Sequence, residues 1–130
     1  MCMIDGCDQW TFTHYKTVKA RKAHECSECE REIRPGETYE RFKGLIDGRW
    51  SLYTTCEHCQ AARSWLEKVC GGWLFQGVLI ELEEHWDADW SYRSVWLGRA
   101  ILTLRRRHKK PDGTLRKPLE PFTPPKSLAH

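Results

Sequence analysis

The period of the hydrophobic positions changes along this chain, and each change marks an element. Glu37-Thr-Tyr-Glu-Arg-Phe-Lys43 and Arg49-Trp-Ser-Leu-Tyr-Thr-Thr55 alternate and are rich in aromatic and β-branched residues, which predicts two strands. Asp47-Gly48 between them predicts a tight hairpin, and Pro35-Gly36 just before predicts a turn. From Cys56 to Val69 the pattern becomes helical, with Thr55 placed to cap the first turn. Beyond the break at Gly71-Gly72-Trp73, Phe75, Val78, Leu79, Leu82 and Trp86 recur at helical spacing and predict a second helix from about Leu74 to His85. Ser91 is placed to cap a third, in which Val95, Trp96, Ala100, Ile101 and Leu104 share an apolar face up to about His108. Pro111 and the prolines at 118, 121, 124 and 125 then predict an extended, partly disordered tail. The expectation is an α+β chain with one domain over 1–108 and a basic, proline-containing tail over 109–130.

The chemistry sits at two matched pairs, Cys26-Ser-Glu-Cys29 and Cys56-Glu-His-Cys59. Each pair sets two sulfurs close enough to share one ion, and together they supply the four-thiolate shell of a structural Zn2+ site. Such a shell is closed, whereas catalytic zinc keeps a position open for water. Residues 30–55 between the pairs are long enough to hold the hairpin. A loop-borne pair, a hairpin and a helix-borne pair, in that order, make a treble-clef zinc finger, here extended by two C-terminal helices.

The run His24-Glu-Cys-Ser-Glu-Cys-Glu-Arg-Glu-Ile-Arg-Pro-Gly-Glu-Thr-Tyr39, then Asp47-Gly-Arg-Trp50, Cys56-Glu-His-Cys59 and Gly71-Gly-Trp73, resembles small zinc-finger proteins of bacteriophages and prophages. The resemblance extends from the N-terminus to about His108. It implies a phage origin and a treble clef, and it carries no assigned reaction. Treble clefs bind nucleic acid, bind protein, or form HNH nucleases, so the fold alone does not choose. An HNH nuclease needs a His at the end of the second hairpin strand, where this chain has Leu52-Tyr-Thr-Thr-Cys56. His58, between two ligands, reads as a helix-start residue beside the metal. No phosphate loop, Ser/His/Asp set or carboxylate pair stands out. The expectation is therefore a non-enzyme.

Charge refines the picture. Residues 1–70 hold eleven basic and eleven acidic side chains; residues 71–98 hold one Arg against five carboxylates, and residues 99–130 hold nine basic against two acidic. The C-terminal segment is thus the dominant cationic stretch, and Arg105, Arg106, Arg107, Lys109 and Lys110 are the candidate phosphate contacts. Cations at a helix C-terminus also answer the helix dipole and keep a small protein in solution. The acidic residues Glu81, Glu83, Glu84, Asp87 and Asp89 form a solvated helix face or one that orients a protein partner. The seven tryptophans exceed what 130 residues ordinarily carry. Packing around a small metal scaffold accounts for most of them, leaving one or two for stacking on bases or docking on protein.

Cys2, Cys7 and Cys70 remain, and with His14, His24 or His85 they offer a second zinc shell; buried inert thiols are the competing reading. The N-terminus has no basic region followed by an apolar core, and no stretch reaches the length of a membrane span, so the expected setting is the cytoplasm of the host cell. The expected function is an accessory factor that binds nucleic acid or a host complex handling it, as a transcription modulator or a counter-defence inhibitor such as an anti-CRISPR. A pure protein–protein inhibitor is the alternative, and an HNH-like nuclease the third.

Overall fold

The computed structural model describes residues 12–123 and forms an α+β fold of a small antiparallel sheet, a two-stranded knuckle and three helices. Strand β1 (Phe12–Lys19) pairs along its whole length with β4 (Thr38–Ile46), which pairs in turn with β5 (Arg49–Cys56). The β4–β5 turn is Asp47-Gly48, both at positive φ (50° and 74°), as a two-residue turn matching the sheet twist requires. The short strands β2 (His24–Glu25) and β3 (Glu32–Ile33) frame the first cysteine pair. Pro35-Gly36 forms a turn closed by the Glu37 amide donating to the Arg34 carbonyl, with Gly36 at φ 94°.

Helix α1 (Glu57–Val69) starts one residue later than the predicted cap implies. Thr55 is still in the buried end of β5, and Cys56 is the N-cap, its sulfur accepting from the Cys59 amide. Helix α2 (Val78–Ala88) begins at Val78 and not at Leu74. The reason is local: Gln76 adopts φ 66°, and Phe75, which fits the helical spacing, instead stacks on Tyr53 at 4.4 Å between ring centroids. Glu28, from between the first two cysteines, accepts from the amides of Gln76 and Val78 and so caps α2 across the domain. Helix α3 (Val95–Arg105) is capped by Ser94. Ser91, expected in that role, lies in a 3-10 turn (Trp90–Tyr92) under Asp89. The helix stops at Arg105 because Arg107 and His108 turn to positive φ.

The core lies between the helices and the knuckle, with Ile33, Leu66, Val78, Leu82, Leu97 and Ala100 fully buried and Trp65 nearly so. Residues 109–123 carry no helix; after a turn at 111–113 they run extended, mostly exposed and anchored at a few points. The Arg116 amide donates to the His108 carbonyl, the Trp96 indole donates to the Glu120 carbonyl, and Phe122 is buried beside Trp96 and Trp65. Lys68 and Ser64 of α1 hold the Phe122 backbone from either side. Among the described residues no helix is long and apolar enough to cross a membrane.

Candidate metal centre and a cationic groove

The knuckle brings Cys26 and Cys29 onto the start of α1, where Cys56 caps the helix and Cys59 sits in its first turn. All four are buried, and their sulfurs lie within 4.8 Å of one another, with Cys29 and Cys56 3.9 Å apart. Zinc–sulfur bonds of about 2.3 Å imply sulfur–sulfur edges of roughly 3.8 Å in a tetrahedron, so the cluster fits one Zn2+. The backbone is arranged for thiolates: the Cys56 amide donates to the Cys26 sulfur and the Cys59 amide to the Cys56 sulfur, both at 3.4 Å. The thiol of Cys56 is held well below its ordinary range, chiefly by hydrogen bonds from Cys26, Cys29 and Cys59. Cys29 is correspondingly pushed up by sharing its proton with Cys26 and Cys56.

A four-thiolate zinc centre would carry a net −2, and the Arg31 guanidinium, within electrostatic reach of Cys56, offsets part of it while sharing its charge with Glu37. Arg31, whose side chain is 2% exposed, is paired with Glu37 at 2.9 Å and donates to Nδ1 of His58 at 3.1 Å. An arginine can only donate, so His58 accepts at Nδ1 and carries its proton on Nε2, which donates to the Arg116 carbonyl. His108 lies with Nε2 3.3 Å from the Cys59 sulfur, and burial lowers its pKa to about 4, keeping it neutral. The chain beyond α3 thus closes over α1 and its cysteines through His108 and Arg116. His24, a candidate spare ligand, instead packs on Tyr39, its Nε2 3.3 Å from the phenol oxygen.

Of the remaining cysteines, Cys2 and Cys7 lie outside the described residues, as does Trp10. Cys70 is disulfide-bonded, which corrects both expectations for it, since it is neither a thiolate available to a second zinc shell nor a free inert thiol; its sulfur lies 3.0 Å from Nε2 of His85, whose Nδ1 donates to the Glu81 carbonyl.

The five candidate phosphate contacts are differently occupied. Arg105 is paired with Glu83 of α2, and Arg107 lies 3.7 Å from Glu30 of the knuckle. Arg106, Lys109 and Lys110 are exposed and have no ion pair among the described residues.

A second cationic surface emerges from the strand register. Residues directly opposite each other share a face. One face carries Tyr15, Glu40, Phe42, Tyr53 and Thr55; Glu40 binds Arg63 of α1, and Phe42 and Tyr53 pack on Phe75. The other carries Phe12, His14, Lys16 and Val18 on β1, Tyr39, Arg41, Lys43 and Leu45 on β4, and Trp50, Leu52 and Thr54 on β5. No carboxylate lies on that face. Its knuckle end is closed by His24 over Tyr39, and between the knuckle and the sheet runs an open groove of about 1050 Å³. The groove is lined by Lys16, Lys19, Arg21, Lys22 and Arg41 with Leu52 and Thr54, again without a carboxylate. Among the described residues none of these five cations is ion-paired. The sequence conceals this surface, because alternation sets Glu40, the one carboxylate of the three sheet strands, on the opposite face, while the other described acids of that half lie in the knuckle, the turns and α1. The readable signal for β1 was its content of aromatic and β-branched residues, Phe12, Thr13, Tyr15, Thr17 and Val18.

Comparison with known proteins gives no protein-family model, curated protein or solved structure that matches this chain.

Proposed function

We propose that this chain is a zinc-stabilised treble clef of phage type that works without catalysis, by binding nucleic acid, either alone or within a host complex that handles it. The observation that carries this reading is the groove: five unpaired cations and no carboxylate beside an open sheet face. Surface charge is ordinarily interspersed, and a concave surface of one sign concentrates field lines on a polyanion. The metal centre supports a scaffolding role, since four buried thiolates leave Zn2+ no open position for water. Anchoring the knuckle to α1 fixes the wall of the groove against its floor.

The test is binding of the zinc-loaded chain to labelled nucleic acid across a salt series. Reversing Lys16, Lys22 and Arg41 to Glu should abolish binding, and the slope of log K on log salt in the parent should correspond to several phosphates at about 0.7 to 0.9 each. Replacing Arg105, Arg106, Arg107, Lys109 and Lys110 with Ala should reduce it less, because two of these already face carboxylates. Parent-like binding by the groove reversal would refute the reading. Protein docking is favoured by a different observation: Trp90 in the 3-10 turn and Val95 at the start of α3 are 78% and 80% exposed. A salt-insensitive protein complex lost on Trp90→Ala would establish that second reading.

A further inference from the structure

The open sheet face ends in a row that phosphate binding alone does not use. Phe12, Leu45 and Trp50 lie directly across from one another at the hairpin end of the three strands. Phe12 is 49%, Trp50 55% and the neighbouring Leu52 68% exposed, and the Phe12 and Trp50 rings meet edge to face at 5.8 Å. Lys43 sets its ammonium over the Trp50 ring, 4.7 Å from the centroid. The ring is thereby held upright by two neighbours that do not bury it. The cations Lys16 and Arg41 share the next row but one, four residues along their strands, or about 13 Å away.

We propose that this face binds single-stranded nucleic acid, with phosphates over Lys16 and Arg41 in the groove and a base stacked on Trp50. This rests on the nucleic-acid reading above and specifies its ligand. A duplex keeps the faces of its bases stacked internally, so an exposed indole gains nothing from it, whereas a single strand offers those faces to any aromatic platform. Duplex reading in the major groove takes a projecting helix or ribbon, and here the cations line a concavity. The contacts engage phosphates and base faces, which DNA and RNA share, so the face accepts either sugar. An acidic peptide would satisfy the cations and leave the aromatic row without a partner of its own.

The experiment is fluorescence anisotropy of the zinc-loaded full chain with an oligothymidylate of about 12 nucleotides, its uridine counterpart and a duplex of equal length. Variants Trp50→Ala, Trp50→Phe and Lys16→Glu/Arg41→Glu are compared with the parent. The single strands should bind more tightly than the duplex at matched salt. Trp50→Ala should weaken them roughly 5- to 150-fold while leaving the salt slope unchanged, and Trp50→Phe should recover much of the loss. Zinc content and far-UV CD of each variant certify the fold, which a half-exposed side chain does not support. Equal or tighter duplex binding, with Trp50→Ala at parent affinity and the double reversal inactive, overturns the single-strand inference and leaves the nucleic-acid reading standing. Failure of all three probes to bind overturns both.

Discussion

Arg63 and Glu40 make the most demanding test of how the sheet is held against the cysteine-bearing helix α1. Arg63 of α1 lies 2.5 Å from the Glu40 carboxylate of β4, with the two side chains only 6% and 11% exposed. Its guanidinium also lies 4.1 Å over the Trp73 ring and 3.3 Å from Glu67. The second carboxylate oxygen of Glu40 and Nη1 of Arg63 are buried without hydrogen-bond partners among the described residues. The pair is therefore costly to desolvate and unevenly satisfied, and removing one member strands the other's charge. Arg63→Met should lower stability by about 3–5 kcal/mol, most of it from the orphaned Glu40 carboxylate. In guanidinium unfolding followed by tryptophan fluorescence, with Zn2+ kept saturating so that metal release does not enter, the midpoint should fall on the order of 1 M. The double variant Glu40→Leu/Arg63→Met removes both charges at similar volume and should return to within about 1 kcal/mol of the parent. A single variant that loses less than about 1 kcal/mol, or a double variant as unstable as the single, would refute the reasoning.

Further expectations concern the metal, the cap across the domain and the C-terminal segment. Cys29→Ser should abolish stoichiometric zinc and unfold the knuckle, because apparent zinc-binding energies of roughly 10–16 kcal/mol are also folding energy; metal analysis and CD of the purified variant check this. Glu28→Ala removes the acceptor for two amides at the start of α2 and should cost about 0.5–2 kcal/mol, measured by the same unfolding assay, with zinc content unchanged. Phe122→Ala opens the space between Trp65 and Trp96 and should cost about 3 kcal/mol, with a change in tryptophan emission. A parent-like Phe122→Ala would mean that the chain beyond α3 does not hold that position in solution.

The four-cysteine cluster and the hairpin were legible because their signals are local: two Cys-x-x-Cys pairs, and Asp47-Gly48 between alternating runs. The helices were legible as helices, and their ends were misplaced where tertiary contact decides. Phe75 continues the helical period and yet belongs to the sheet, through Tyr53 and Phe42. Ser91 and Ser94 are equally good caps by type, and only the Asp89 turn selects Ser94 for α3. Glu28 and His108 act on groups 48 to 50 and 49 residues away, a distance no pattern along the chain conveys. The cationic groove was hidden for a further reason: a summed charge cannot show which side of a sheet each residue faces, and register is a property of pairing.

That register makes the open face hostage to parity. Because successive residues of β4 point to opposite sides, a single-residue deletion within it would turn Lys43 and Arg41 inward toward α1 and bring Phe42 to the surface. The groove cations can therefore be exchanged one at a time at little structural cost, and the spacing between them cannot. Among descendants of this sequence, β4 should hold its length and the positive charge at positions 41 and 43, with lysine and arginine exchanging there freely.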